Sequence, residues 1–316
     1  MRITVLAGGV GGARFLRGLA AAAPAAEITV IGNTGDDITL FGLHVSPDLD
    51  TVMYTLGGGI SEEQGWGRAD ESFTVLSELS AYGAEPGWFG LGDRDFATHI
   101  VRTSMLSQGL TLSAATSKLC ERWKPGVTLL PMTDDRVQTH VVIGEGDAAR
   151  TIHFQEWWVR LHAAVPATQI IATGAEQATP APGVLAAIAA ADCVLLPPSN
   201  PVVSIGVILA IPGIAQALRA KTVIGVSPII GGAPVRGMAD ACLAAIGVPT
   251  TAAAVAAHYG AGLLDGWLVD EQDKDAADSP ELAGIMVRAI PLYMTDLQAS
   301  AEIARSALAM AAEISR

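Results

Sequence analysis

The chain has 316 residues, 50% of them hydrophobic, and a formal net charge of −13. This length allows a large core, while the negative charge and the lack of a Lys/Arg run exclude binding to nucleic acid through its phosphates. The most apolar window, residues 201–214, is shorter than the about 20 residues that a membrane span needs, and no signal peptide is visible. Three cysteines indicate neither a disulfide framework nor a zinc cluster, so we expect a cytoplasmic protein.

The first elements are two buried strands, residues 2–7 and 28–31, separated by a helix whose apolar face includes Phe15, Leu16 and Leu19. Residues 72–123 differ from their surroundings, because three helical patterns follow one another there without an intervening strand. These patterns cover residues 72–82, 95–106 and 112–123. We therefore expect a single catalytic domain over residues 1–316, with a helical subdomain at about 72–125.

Apolar β-like runs return in the middle of the chain and then alternate with helical patterns. The predicted strands are residues 127–132, 137–143, 151–154, 169–172, 193–196, 223–226, 266–269 and 285–289. The predicted helices are residues 184–191, 238–246 and 296–314. Such alternation predicts the α/β class: a doubly wound, mostly parallel, Rossmann-like sheet with a helical insertion.

Two glycine-rich loops follow the first two predicted strands. LAGGVGGAR (residues 6–14) contains Gly8, Gly9, Gly11 and Gly12, and GNTGDD (residues 32–37) ends in two carboxylates. The first loop is neither G-x-G-x-x-G, since position 14 is Arg, nor a P-loop. The alternative interpretation is a tight turn that needs a positive φ. In an open parallel sheet both loops would open on the ligand crevice, which favours a phosphorylated ligand beside a metal.

Two further loops follow later strands and should open on the same edge. They are PPSNPVVS (residues 197–204) and SPIIGGAPVRG (residues 227–237). Their residue types are also those of ordinary turns. Four such loops on one edge favour a shared site.

Four carboxylates fall on neighbouring connections. Asp36 and Asp37 end the second glycine loop, and Asp48 and Asp50 precede a helical run. Oxygen ligands of this kind suit Mg²⁺, which bridges protein carboxylates to substrate phosphates. The alternative is that these residues only cap helices or turns.

The ordered motifs of the chain resemble the 2-phospho-L-lactate transferase family, which builds the deazaflavin coenzyme F-420. They are LAGGVGGARFLRGL, GNTGDD, SPDLDTVMYTLGG, LGDRDFATHIVRT, LLPMTDD, HFQEWWVR, PSNPVVSIG, SPIIGG and VRGMAD, and they span nearly the whole sequence. The likeness is greatest to the actinobacterial members, which are phosphoenolpyruvate transferases. By this resemblance, a guanosine diphosphate carrying enolpyruvate or lactate donates its distal phosphate group to the ribityl hydroxyl of 7,8-didemethyl-8-hydroxy-5-deazariboflavin. GMP is released, and the family implies Mg²⁺ and a homodimer.

The resemblance also assigns roles to residues. Asp36 and Asp50 become the metal ligands and catalytic residues, and Asp50 is the candidate for orienting or deprotonating the hydroxyl. The glycine loop would lie against the diphosphate, and PSNP with SPIIGG would enclose the guanosine. The substrate-binding candidates are Gly8, Gly9, Gly11, Gly12, Asn33, Asp48, Thr51, Arg94, Ser199, Asn200 and Ser227.

Several side chains have two open interpretations. Arg94 either neutralises an oxyanion or pairs with Asp93 or Asp95. His153, Gln155 and Trp157 alternate, so they would share one face of a strand that meets the deazaflavin ring or packs in the core. Trp66, Trp88 and Trp267 are predicted to be packing residues.

Two other functions compete with the transferase. A dinucleotide-dependent oxidoreductase needs an acidic residue at the end of the second strand to bind the ribose, but this chain has Gly32 and Asn33 there. A non-enzymatic nucleotide-sugar-binding regulator is similar at the GGVGG loop, but PSNP, SPDLDT and HFQEW favour the transferase. No residue pattern separates an enolpyruvyl from a lactyl donor.

Overall fold

Strands and helices alternate along the chain in the computed structural model, which describes residues 1–260 and 262–315. The strands are β1 (Arg2–Ala7), β2 (Glu27–Gly32), β3 (Ile38–Leu40), β4 (Leu43–Val45), β5 (Thr128–Pro131), β6 (Gln138–Ile143), β7 (Arg150–His153), β8 (Ala167–Thr173), β9 (Cys193–Leu196), β10 (Val223–Val226), β11 (Ile229–Ile230), β12 (Ala233–Pro234), β13 (Gly266–Val269) and β14 (Met286–Ala289). The α-helices are α1 (Gly9–Ala22), α2 (Pro47–Leu56), α3 (Thr74–Ala81), α4 (Asp93–Ser107), α5 (Leu112–Trp123), α6 (Val184–Ala190), α7 (Val207–Ala210), α8 (Ile214–Leu218), α9 (Ala239–Ala245), α10 (Ala252–His258) and α11 (Leu297–Ile314).

The central sheet is parallel and has the order β14-β13-β10-β9-β1-β2-β5. The chain starts in the middle of the sheet, builds outward from β1 through β2 to β5, and later returns to the other side of β1 with β9. The order of strands therefore reverses between β1 and β9. A ligand crevice is expected outside the carboxyl ends of strands at such a switch point. The fold is α/β with a mostly parallel sheet, as the alternation predicts.

Both faces of this sheet are covered, which is why its strands are almost continuously apolar. In β1 the side chains of Ile3 and Val5 pack with Phe15 of α1 and with α11 on one face. Leu6 points to the other face, where Ile188 of α6 belongs to the same buried cluster. The period of two in the strand thus divides its apolar residues between two cores.

Three strands in the middle of the chain, β6, β7 and β8, do not join the parallel sheet. They form a separate antiparallel sheet in the order β7-β6-β8. The alternation rule fails here because the connections between these strands contain no α-helix, and a parallel crossover needs a connection of a dozen or more residues, usually a helix. The prediction of strands was right in this region, and the expectation of parallel alternation was wrong.

Helices α3, α4 and α5 occupy the region predicted to be helical. Helices α3 and α4 pack beside the hairpin of β3 and β4, which the sequence did not predict, around a small apolar cluster that includes Leu40, Phe89 and Phe96, whereas α5 packs against β5. The backbone N–H of His44 donates to Thr103 Oγ1 of α4 at 2.8 Å and ties the hairpin to the helix. Among the helices that the structure describes, none has the length and apolarity required to cross a bilayer.

Candidate active site

A cavity of about 660 Å³ opens at the carboxyl ends of β1 and β9, where the strand order reverses. Its wall is made by the four loops that the sequence singles out, together with the start of α2 and four further segments, around Trp66, Phe89, Trp158 and Tyr293. From the predicted set it contains Gly8, Gly9, Gly11, Asp36, Asp48, Thr51, Ser199, Asn200 and Ser227. This volume is in the range of a small-molecule site.

The first glycine loop is closely packed on the loop after β9. A Cβ atom at Gly11 would overlap the carbonyl oxygen of Pro198, and one at Gly8 would overlap the carboxylate of Asp48. Ser199 joins the two loops, since its Oγ accepts from the Gly8 N–H at 3.1 Å and donates to the Gly8 carbonyl oxygen at 2.7 Å. Gly9 has a φ of 63°, which confirms the need for a positive φ in this turn. The loop therefore serves as a turn and as a cavity wall.

The N-terminus of α1 is open toward the cavity. Gly8, the residue before the helix, has no side chain that could cap it, and the first turn of α1 has no acidic residue, although the Asp48 carboxylate of α2 accepts from the Gly9 N–H. The first N–H groups of a helix lack intrahelical acceptors and carry a partial positive charge. This end of the cavity is therefore suited to an anionic group such as a phosphate.

Two buried carboxylates, Asp36 and Asp48, face the cavity beside this helix end. Asn33 donates from Nδ2 to Asp48 Oδ2 at 2.9 Å and to the Val203 carbonyl oxygen at 3.2 Å, which fixes the Asp48 carboxylate. Asp36 Oδ1 is buried and has no hydrogen-bond partner within the part of the chain that the structure describes. Asn33 is thus a support for Asp48 behind the cavity surface and does not line it.

Burial destabilises the ionised forms of Asp36 and Asp48. Burial raises the pKa of Asp36 well above its ordinary value, and the nearby charge of Asp48 raises it further. Burial also raises the pKa of Asp48 to about 6, although the hydrogen bond from Asn33 lowers it. Two carboxylates in this condition would be stabilised by a cation between them.

We expect the contribution of Asp48 to the free energy of unfolding of metal-free protein to decrease as the pH rises toward and through about 6. The folded state holds the Asp48 proton more tightly than the unfolded chain does. Between the ordinary pKa and the raised one, the unfolded chain has already released this proton, so a rise in pH stabilises the unfolded chain relative to the folded protein. Urea unfolding in a chelator should show Asp48→Asn gaining stability relative to the wild type by about 1–2 kcal/mol from pH 5 to pH 8. A difference that does not change with pH would contradict this expectation.

Asp50 occupies a different position from the one that the sequence suggests. It does not line the cavity, because Asp48 and Asp50 are two residues apart on α2 and so point about 200° from each other. The Asp50 carboxylate is buried behind α2, where Arg102 Nη1 donates to Oδ2 at 3.0 Å and Nη2 donates to Oδ1. His99 Nδ1 lies 3.7 Å from the same carboxylate. Asp48 therefore holds the cavity-facing position that was expected for Asp50.

Arg94 lies outside the cavity lining. It is half-exposed in the first turn of α4, donates to the Ala69 carbonyl oxygen at 3.0 Å, and is 3.8 Å from Asp70. The expected pairing with Asp93 or Asp95 is also absent among the described ion pairs, since the Asp93 carboxylate accepts from the N–H groups of Thr74 and Val75. The structure thus gives Arg94 a role at the surface and none at the cavity.

The stretch HFQEWWVR is not one strand. Strand β7 ends at His153, and Glu156–Arg160 is a π-helix, so the alternation of His153, Gln155 and Trp157 does not place them on one face. Trp157 is fully buried and donates to the Val165 carbonyl oxygen at 2.7 Å. Phe154, Gln155 and Trp158 line the cavity instead.

Asn200, Ser227 and Gly12 shape the loops. Asn200 Oδ1 accepts from the N–H groups of Val202 and Val203 and so starts the π-helix Pro201–Gly206. Ser227 Oγ donates to the Ile229 carbonyl oxygen at 2.8 Å and accepts from the Ile229 N–H. Gly12 lies against Ser199 behind the cavity wall and does not itself line it.

The cavity also contains residues to which the sequence analysis gave no role. Two are the cations Arg14 and Arg236, and several are aromatic or apolar: Phe89, Phe154, Trp158, Tyr293 and Met294. Trp66, expected to pack in the core, is 45% exposed and also lines the cavity. Trp267 is fully buried, as predicted. Arg14 lies inside the first glycine-rich motif, and this position could have indicated that it lines the cavity. The sequence has no comparable signal for Arg236, which reaches the cavity through folding of the chain.

Similar proteins agree with this architecture. Two crystal structures of a UPF0052 family protein from Bacillus halodurans match with TM-scores of 0.63 and 0.64 at 17% and 18% identity, and each covers 97% of this chain and 99% of the other chain. At this identity the likeness concerns the fold alone.

Sequence comparisons identify the family. The model of 2-phospho-L-lactate transferase CofD matches residues 3–288. Proteins named phosphoenolpyruvate transferase from Streptomyces coelicolor and Thermobifida fusca are each 67% identical to this chain, and the alignments cover 99% of both partners. One of the same name from Nocardia farcinica is 56% identical, with 98% of this chain and 95% of that protein covered. The chain therefore belongs to the 2-phospho-L-lactate transferase family and is a transferase.

Proposed function

We propose that this chain transfers a phosphoenolpyruvyl group from a guanosine-diphosphate-linked donor to the ribityl hydroxyl of 7,8-didemethyl-8-hydroxy-5-deazariboflavin, in the pathway to coenzyme F-420. The observation that carries the proposal is one cavity that joins two buried carboxylates to the open N-terminus of α1. The names of the actinobacterial relatives support enolpyruvate in preference to lactate as the transferred acid.

The first requirement of this reaction is to hold a diphosphate. The first turn of α1 beyond Gly9 offers backbone N–H groups that lack intrahelical acceptors. The loops at Ser199 and Ser227 line the same cavity and would enclose the guanosine. Backbone contacts of this kind let a strongly acidic protein bind an anion locally.

Asp36 and Asp48 fit a magnesium ion. Both are buried at the cavity surface, one oxygen of Asp36 has no partner among the described residues, and their pKa values are raised. The described residues contain no group of three or more His, Cys, Asp or Glu side chains that could hold a metal. Two carboxylates suffice for Mg²⁺ when substrate phosphates and water complete its shell. When bound, the ion would supply positive charge at the diphosphate.

The transfer itself is a displacement at phosphorus. The acceptor hydroxyl oxygen forms a bond to the distal phosphorus while the bond from that phosphorus to the bridging oxygen breaks, and GMP leaves with that oxygen. The hydroxyl proton is released. Such a step depends on alignment and charge stabilisation more than on covalent catalysis. The aromatic wall formed by Trp66, Phe89 and Trp158 offers flat apolar surface for the acceptor's ring system.

Product masses test this proposal. Purified protein is incubated with the deazaflavin, Mg²⁺ and either the enolpyruvyl or the lactyl guanylated donor, and the products are weighed by mass spectrometry. We expect the enolpyruvyl product, which has two hydrogens fewer than the lactyl product. A clear preference for the lactyl donor would overturn the choice of acid. Binding of GDP without any product from either donor would favour the nucleotide-binding regulator.

A further inference from the structure

Two arginines line the cavity, and neither has a carboxylate partner among the described residues. Arg14 lies on α1, and Arg236 follows β12 in the loop after β10. Arg236 Nη2 donates to the Gln64 carbonyl oxygen, and its guanidinium lies against Gly65. Among the described residues, no carboxylate oxygen lies within 4 Å of either guanidinium, although other arginines of the chain form such pairs.

This arrangement is unfavourable without a ligand. Partial burial lowers the pKa of Arg236, and the charge of Arg14 lowers it further. In a chain with a net charge of −13, acidic partners are abundant, yet neither guanidinium has one within reach. Two cations that line one cavity and have no carboxylate partner among the described residues are the arrangement expected where an anion binds.

The anion that the two arginines would bind can be identified from the anionic groups of the donor; this step rests on the proposed function. The donor carries a diphosphate and one carboxylate, and the diphosphate is already assigned to the start of α1 beside Asp36 and Asp48. Arg14 is five residues beyond Gly9, about 7.5 Å further along the helix axis. Arg14 and Arg236 are the only lysine or arginine residues among those that line the described cavity.

We propose that Arg14 and Arg236 together bind the carboxylate of the acid that is transferred. A planar carboxylate matches the fork of donors on a guanidinium group, and two such groups can share its two oxygens. The pair would orient the acid relative to the distal phosphorus and would select donors that carry an acid over donors that carry a neutral group. Both the lactyl and the enolpyruvyl donor satisfy this requirement, so the pair does not choose between them.

The test compares two esters of GDP that differ only in this carboxylate. One is the lactyl ester, and the other is the isopropyl ester, in which a methyl group replaces the carboxylate. Their dissociation constants are measured by calorimetry with Mg²⁺ for the wild type, Arg14→Met and Arg236→Met. The matched control is Arg17→Met, on the same helix, whose partner is the exposed Glu62 at 2.6 Å.

We expect the wild type and Arg17→Met to bind the lactyl ester at least about tenfold more tightly than the isopropyl ester. Each cavity variant should lose most of this preference while its affinity for the isopropyl ester stays unchanged, and Arg14→Lys should keep part of it. Equal weakening of both esters would overturn the inference, because the arginines would then bind the diphosphate. Equal binding of the two esters by the wild type would overturn it as well and leave the donor assignment intact. Failure of the wild type to bind any GDP ester would remove the proposed function and this inference together.

Discussion

Replacing Asp48 by asparagine is expected to lower kcat/KM for the proposed transfer by a factor of about 10³ or more, with little change in the fold. The substitution keeps the shape of the side chain beside Asn33 and Ser204 but removes one of the two negative charges at the cavity surface. Because the remaining carboxylate would bind Mg²⁺ more weakly, the negative charge of the diphosphate would be poorly balanced in the transition state. Asp36→Asn should behave similarly, because Asp36 provides the second carboxylate.

Steady-state kinetics over a range of Mg²⁺ concentrations checks this result. The half-saturating Mg²⁺ concentration should rise in both variants, and a chelator should abolish turnover by the wild type. Asp70→Asn is a suitable control, since Asp70 is exposed and lies outside the cavity lining. Activity close to that of the wild type in Asp48→Asn would return Asp48 to a purely structural role at the start of α2.

Replacing Asp50 by alanine is expected to lower the free energy of unfolding by about 3–5 kcal/mol. The Arg102 side chain is 1% exposed and has Asp50 as its ion-pair partner, so the substitution leaves a buried guanidinium without its counter-ion. Its remaining contacts are weaker: the His44 carbonyl oxygen at 3.4 Å and His99 Nδ1 at 3.2 Å. Any loss of activity in this variant would come from displacement of α2, which carries Asp48 on its opposite side.

Urea unfolding of two variants separates these effects. Asp50→Ala alone should be strongly destabilised, whereas Asp50→Leu combined with Arg102→Met should recover much of the stability, because an apolar pair of similar volume replaces a buried ion pair. Kinetics on the same proteins supplies the decisive comparison. A loss of several orders of magnitude in rate for Asp50→Ala, with unchanged stability, would restore Asp50 as a residue that touches the substrate or the metal.

The sequence alone determined the parallel sheet and the edge on which the site lies. The predicted strand bounds at residues 2–7, 193–196, 223–226 and 266–269 are those of the structure. Fully buried strands are continuous apolar runs, and glycine, proline and serine mark their ends, so the signal is local. Since carboxyl ends of parallel strands share one edge, the convergence of the loops at Gly9, Asp36 and Asn200 followed from the same pattern.

Only the tertiary structure decided which polar side chains reach the cavity. Asp48 and Asp50 look alike in sequence, but the rotation of α2 turns one toward the cavity and the other toward Arg102 on α4. The π-helix at Glu156–Arg160 moved Trp158 into the cavity wall and Trp157 into the core. Arg14 and Arg236 are far apart in the chain and line one cavity only because the chain folds. Local periodicity specifies strands and helices, whereas the direction of a side chain and its distant neighbours depend on packing between elements.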